Sequence, residues 1–253
     1  MKFSIGCDPE FFLKEGDNYV SAHDLVPGTK HDPFPLDCGA VQADGTAVEF
    51  NIQPAYSAGE FSRNIQSVLR QIREIIPSRF SFHLYPSVQY DPVYFRRIPV
   101  YAKQLGCDPD YNANLNGKMN KIARKPGAMR TGAGHIHIGW GKDLAVYDPV
   151  HITDCCEAVK YLDQTILPSE SFWCDDRKRR QLYGAPGAFR PKPYGVEYRV
   201  LSNSWLRYPR LWPWLYGAVV DSLEELARGM TPRMLTPPLQ LLVEEQEPWQ
   251  YHF

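Results

Sequence analysis

Four short stretches of this chain carry functional polar side chains two residues apart in strand-like surroundings: Asp8 and Glu10, Glu49 and Asn51, His135 and His137, and Glu197 and Arg199. Alternate residues of a strand point to one face, so each pair projects together from one side of a sheet. Burying a polar group without compensation costs roughly 2–7 kcal/mol. A divalent cation with a charged ligand is the simplest compensation.

Taken singly, each pair has an ordinary reading. Asp8-Pro9 makes a turn, Glu49 and Asn51 the solvent face of a hairpin, His135 and His137 two hydrogen-bonded imidazoles, and Glu197 with Arg199 a surface ion pair worth under about 1 kcal/mol. It is their joint occurrence that points to a site. Carboxylates outnumber imidazoles and there is no thiolate cluster, so the set suits Mg²⁺ or Mn²⁺ better than structural zinc. Basic residues bracket the acidic ones: Lys118, Lys121, Arg124, Lys125 and Arg130 precede the histidines, and Arg190 and Lys192 precede Glu197. Arg and Lys beside such ions suit phosphate or carboxylate groups. No Gly-x-x-x-x-Gly-Lys-Ser/Thr loop exists, since Val26-Pro27-Gly28-Thr29-Lys30 has the wrong spacing, and there is no Gly-x-Gly-x-x-Gly fingerprint. A nucleotide would therefore lie on a sheet with metals.

The bulk properties narrow the rest. With 253 residues, 43% hydrophobic and 23% charged, the chain reads as one globular domain over 1–253 with a proline-rich tail over 231–253. No apolar run approaches the ~20 residues of a membrane helix, and the first residues turn polar at Asp8, so a cytoplasmic protein is expected. A formal net charge of -1 supplies no general attraction to nucleic acid or membranes. The six cysteines form no Cys-x-x-Cys pair and read as free thiols.

Residues 3 to 13 read as a strand, although Pro9 removes a ladder donor and favours a bulge that would displace Asp8. Asp44-Gly45 signals a hairpin carrying Glu49. Ser57-x-x-Glu60 opens a helix with Phe61, Ile65, Val68, Leu69, Ile72 and Ile76 on one face, running to Pro77. Residues 80 to 88 and 130 to 140 read as strands. Asp148 and Pro149 open a second helix, with Val150, Cys155, Val159, Leu162 and Ile166 inward. A short basic helix over 175 to 183, a strand from Gly195 to Leu201 and a final helix ended by Gly229 follow. Strands and helices mix without a regular βαβ rhythm, which makes the class α+β. Asp108, Asp110 and Asn112 read as a turn whose oxygens could approach a substrate.

The motifs Gly6-Cys7-Asp8-Pro9-Glu10-Phe11, Asp44-Gly45-x-x-x-Glu49-Phe50-Asn51, Gly134-His135-Ile136-His137-Ile138-Gly139 and Tyr183-Gly184-x-x-Gly187-x-Phe189-Arg190-Pro191-Lys192-Pro193-Tyr194-Gly195-x-Glu197-Tyr198-Arg199 occur in this order over residues 3–205. Together they resemble the phage-type carboxylate-amine ligases (type 2 amidoligases) of the glutamine synthetase and glutamate-cysteine ligase superfamily. The resemblance implies a glutamine synthetase-like catalytic fold, with a curved, mainly antiparallel sheet and helices on its outer face. It implies an ATP-dependent carbon-nitrogen ligase that makes an amide through an acyl phosphate, using ATP and Mg²⁺ or Mn²⁺. By similarity Glu10, Glu49, His135, Glu197 and Asp8 would hold metal. His137, Arg190 and Arg199 would face phosphate or acyl substrate, and Arg130, Lys192 and Arg180 would recognise the nucleotide. Partners would be small-molecule or peptide carboxylates and amines, with nucleic acid entering only as a modified-base substrate, in the host cytoplasm if the chain is phage-encoded. Two rival readings are a metal-dependent hydrolase or oxygenase built on His135-x-His137, and a non-catalytic binding or virion-associated protein that keeps the fold.

Overall fold

A computed structural model describes residues 2–103, 110–120, 127–174 and 176–243. In chain order the elements are β1 (Ser4–Cys7), β2 (Glu10–Glu15), β3 (Asn18–Val20), β4 (Phe34–Leu36), β5 (Gly39–Asp44), β6 (Ala47–Ile52), α1 (Ala58–Ile75), β7 (Phe80–His83), β8 (Ser87–Gln89), α2 (Pro92–Arg97), β9 (Tyr111–Asn112), β10 (Lys118–Met119), β11 (Met129–Thr131), β12 (Ile136–Gly139), α3 (Pro149–Thr165), α4 (Arg177–Leu182), β13 (Ala188–Lys192), β14 (Gly195–Tyr198) and α5 (Trp212–Ala227). The mixed class and the antiparallel pairing agree with expectation. The strands, however, divide into two six-stranded sheets and a two-stranded ribbon rather than forming one sheet.

Pro9 is the reason for the division. The expected strand over 3–13 breaks there: β1 pairs with β12 in one sheet, while β2 pairs with β3, β6 and β7 in the other. Main-chain bonds stitch the joint, from Glu10 N to Ala133 O (2.8 Å), from Phe50 N to Pro9 O (3.3 Å) and between Ile5 and Ala55. Asp8 thus stands where the two sheets meet.

The first sheet runs β1-β12-β14-β13-β9-β10. Its register places Gly6 opposite His137, His137 opposite Glu197, and Glu197 opposite Arg190. The period of two then divides the faces. Ile136, Ile138, Val196, Tyr198 and Phe189 are fully buried on one side, where α3 packs, and the polar residues share the other. The second sheet runs β3-β2-β6-β5-β4, with β7 also on β2. Glu10, Glu49 and Gln42 form one row across it.

Helix α1 forms as its signals require. Ser57 is the N-cap, its side chain accepting from Glu60 N at 3.2 Å, and the Glu60 carboxylate accepts from Tyr56 N at 2.7 Å. Phe61, Ile65, Val68, Leu69 and Ile72 are buried against β5 and β6. Asp148 caps α3, accepting from Val150 N and His151 N. Val150, expected inward, is exposed, and its neighbour His151 takes the inward position of the first turn, buried with Nε2 3.0 Å from Lys192 O. Helix α5 covers both α1 and α3. The span 80–88 splits at Tyr85-Pro86, so β7 joins the second sheet and β8 the ribbon with β11. Beyond Thr231, Leu235 N donates to Thr165 O at 2.8 Å, which holds this part of the tail against the end of α3. Among the described residues, Cys7, Cys38, Cys155, Cys156 and Cys174 are free thiols, and no helix is long and apolar enough to cross a membrane.

Candidate functional site

Asp8 is the hinge of the site. Its Oδ1 lies 3.1 Å from His135 Nδ1 and its Oδ2 lies 3.1 Å from His137 Nε2. Burial pushes the Asp8 carboxyl up, but the imidazoles of His137 and His135 outweigh it and hold the group well below the usual carboxylate range. The break at Pro9 therefore does not displace Asp8 from the other acidic residues; it presents Asp8 to both sheets. Glu197, with no exposed side-chain surface, lies 3.5 Å from His135 Nδ1, 2.8 Å from Lys192 Nζ and 3.4 Å from Arg190 Nη1, and forms an ion pair with Arg199. Burial acts to raise Glu197, and the Arg199 guanidinium, foremost among the neighbouring charges, holds it ionised far below its ordinary value. Arg199 is itself buried and also donates to Asp110 and to the Tyr183 hydroxyl. Burial, then Arg199, lower His135; in His137 burial is outweighed by Asp8, which raises it.

A second acidic group faces the first from the other sheet. Glu10 and Glu49 are direct cross-strand partners, and Asp44 joins them. The sequence signal at Asp44-Gly45 suggested a turn made of those two residues, but Asp44 is the last residue of β5, paired with Ala47, and the turn is Gly45-Thr46 with Gly45 at φ 58°. That shift of one residue puts Asp44 on the same face as Gln42, opposite the strand that carries Glu49. Burial, then the charge of Asp44, lifts Glu10 to about 8 against the opposing Ala133 N–H. Burial, then Asp8, Asp44 and Glu10, lift Glu49 well above its usual range, although Gln42 Nε2 donates to Glu49 Oε2 at 2.9 Å. Asp44 is raised chiefly by burial, with Lys30 opposing.

The donor set fits divalent cations. Ligand atoms of Asp8, His137 and Glu197 lie within 4.8 Å of one another, as do those of Glu10, Asp44 and Glu49. His137 Nε2 is buried facing Asp8 Oδ2 at 3.1 Å. Burial and mutual charge raise all three carboxylates of this second group, and an oxygen-preferring cation among them would relieve both. His135 Nδ1, between Asp8 and Glu197, is a further nitrogen in reach.

The structure thus brings together Asp8, Glu10, Glu49, His135, His137, Arg190, Lys192, Glu197 and Arg199. Two expected nucleotide ligands lie elsewhere. Arg130, on β11 in the ribbon, donates to the carbonyls of Gly127, Met129 and Lys103 and stacks over Phe95. Arg180 donates to the carbonyls of Gly184 and Val200 and pairs with buried Glu170. Both serve the scaffold, as does Arg179, which clamps the carbonyls of Gly132, Val200 and Leu201. Lys121, Arg124, Lys125 and Asp108 lie outside the described residues. Sequence reasoning missed Asp44, Gln42, Tyr183 and Tyr194, and read Asp110 as a turn residue. Asp44, Tyr183 and Tyr194 stand in the quoted motifs without a role assigned to them, and Gln42 alternates with Asp44 along β5 in register with Glu49.

No family model and no curated protein matches this sequence. Among solved structures, a bifunctional glutathione synthetase from Pasteurella multocida aligns with a TM-score of 0.38 and 11% identity, covering 92% of this chain and 41% of its own. The chain therefore spans less than half the length of that protein.

Proposed function

We propose that this protein is an ATP-dependent carboxylate-amine ligase on a glutamine synthetase-like framework. One observation carries the reading: two acidic groups from different sheets converge around Asp8, and Arg190, Lys192 and Arg199 line the edge of one of them. An acidic floor bordered by cations suits a metal-bound polyphosphate and an acyl substrate. In the reaction, a substrate carboxylate oxygen attacks the γ-phosphorus of ATP and ADP leaves. An amine then attacks the acyl carbon of the resulting acyl phosphate, phosphate leaves, and the amine loses a proton.

Asp8, Glu197 and a histidine would hold one cation, and Glu10, Asp44 and Glu49 another. Cations held there would supply charge neutralisation to a transferring phosphoryl group. Arg199 is held rigid by Glu197, Asp110 and Tyr183, so its guanidinium is pre-set for an anion and costs little ordering on binding. Arg190 and Lys192, more exposed, would follow the phosphates. The hydrolase or oxygenase reading leaves Glu10, Asp44, Glu49 and these cations without a role. With Mg²⁺, ATP and a panel of amino acids and polyamines, ADP and phosphate are expected only when an acid and an amine are both present. No nucleotide binding by calorimetry and no turnover with any pair would refute the proposal.

A further inference from the structure

Each imidazole of the site is held from behind by a tyrosine. His135 turns Nδ1 to Asp8 (3.1 Å) and Glu197 (3.5 Å), and its Nε2 is hydrogen-bonded to the Tyr183 hydroxyl at 2.8 Å. His137 turns the other nitrogen, Nε2, to Asp8 (3.1 Å), and its Nδ1 is hydrogen-bonded to the Tyr194 hydroxyl. The result is one chain of contacts, Tyr183–His135–Asp8–His137–Tyr194, across the seam between the sheets.

An imidazole ring turned over about its Cβ–Cγ bond puts carbon where nitrogen stood, so a ligand histidine needs a partner that distinguishes the two faces. Histidines that bind metals almost always engage the other ring nitrogen for this reason. Both tyrosines stand on fixed supports. Tyr183 ends α4, with its N–H on Arg179 O (2.7 Å), and Arg179 ties that helix to the carbonyls of Gly132, Val200 and Leu201, which flank the His135 and Arg199 segments. Tyr194 lies in the turn between β13 and β14, and its carbonyl accepts from Trp140 N (2.9 Å) and Gly141 N (3.1 Å), just past the strand that carries His137. Each hydroxyl lies among the polar groups of the site, and that of Tyr183 also accepts from buried Arg199.

We propose that Tyr183 and Tyr194 are positioning residues that fix which ring nitrogen of His135 and His137 faces Asp8 and Glu197, and so set the affinity of the site for a divalent cation. This rests on the cation-dependent function proposed above. It assigns no contact between either tyrosine and the cation or substrate.

The test titrates Mn²⁺ into the full-length wild type, Tyr183→Phe and Tyr194→Phe, reading free Mn²⁺ by electron paramagnetic resonance. Phe keeps the ring and removes only the hydroxyl. Each variant is expected to bind about 10- to 100-fold more weakly, the usual effect of losing an outer-shell partner; Tyr194→Phe is expected to keep its metal-free melting temperature, whereas Tyr183→Phe, which also removes the acceptor of a buried Arg199 N–H, is expected to lower it. A packing role would instead lower the melting temperature and spare the affinity. Long-range ¹H–¹⁵N spectra of the Mg²⁺-saturated wild type are expected to show a single tautomer at His135 and at His137, giving way to averaged shifts at the affected ring in each variant. Unchanged Mn²⁺ affinity in folded variants, or averaged tautomers in the wild type, would overturn the positioning role and leave the ligase reading standing. No Mn²⁺ binding by the wild type would overturn both.

Discussion

Replacing Glu10 by Gln isolates the cost of assembling the acidic group formed with Asp44 and Glu49. Burial and the Asp44 charge lift Glu10 from 4.5 to about 8. The unfolded chain releases this proton near 4.5 while the folded protein keeps it to about 8, so between those values the folded state binds more protons and stability falls as pH rises. A displacement of roughly 3.5 pH units corresponds to at most about 5 kcal/mol. Gln at position 10 escapes both the burial cost and the Asp44 repulsion, and about half of that upper bound, ~2 kcal/mol, is for a chain of this size a rise in melting temperature on the order of 4–8 °C. A carboxamide oxygen at position 10 still accepts the Ala133 N–H that Glu10 Oε2 now accepts at 3.0 Å, so the backbone contact survives. The assay is thermal melting from pH 4.5 to 9 in a metal chelator. Glu10→Gln is expected to melt higher than the wild type at pH 8.5 and to converge with it at the acidic end. Added Mg²⁺ is expected to stabilise the wild type more than the variant. A variant that melts lower at pH 8.5, or pH profiles that run parallel, would refute the electrostatic account of this group.

Arg199→Ala leaves fully buried Glu197 without its nearest countercharge; the expected loss is about 3–5 kcal/mol, read as a lowered urea midpoint. Ser57→Ala removes the side-chain cap of α1 and is expected to cost about 1 kcal/mol in the same assay, with no change in nucleotide binding. Gly28 holds φ +84°, and a Cβ there would meet Phe34 N and Val41 O at 2.5 Å, so Gly28→Ala is expected to destabilise by more than about 1 kcal/mol.

Local chemistry made some of this structure legible from the chain alone. The starts of α1 and α3 follow from Ser57 and Asp148, because capping is decided within one turn. The polar face of β12 and β14 follows from alternation. What depends on distant neighbours was hidden. Pro9 announced a disturbance, but not that β1 and β2 would enter different sheets with Asp8 between them. The resemblance assigned Arg130 and Arg180 to the nucleotide, whereas where their side chains point is decided by the ribbon and by α4. Tyr183 and Tyr194 stand in the fourth motif, each before a glycine, but which imidazole each hydroxyl reaches depends on how α4 and the β13–β14 turn pack.

The anomalous scattering of a crystal soaked in Mn²⁺ and a non-hydrolysable ATP analogue tests the central claim most directly. Manganese is expected at Asp8, His137 and Glu197 and again at Glu10, Asp44 and Glu49, with the triphosphate between them and the side chains of Arg190, Lys192 and Arg199. Manganese bound at neither group, or nucleotide seated away from both, would contradict it.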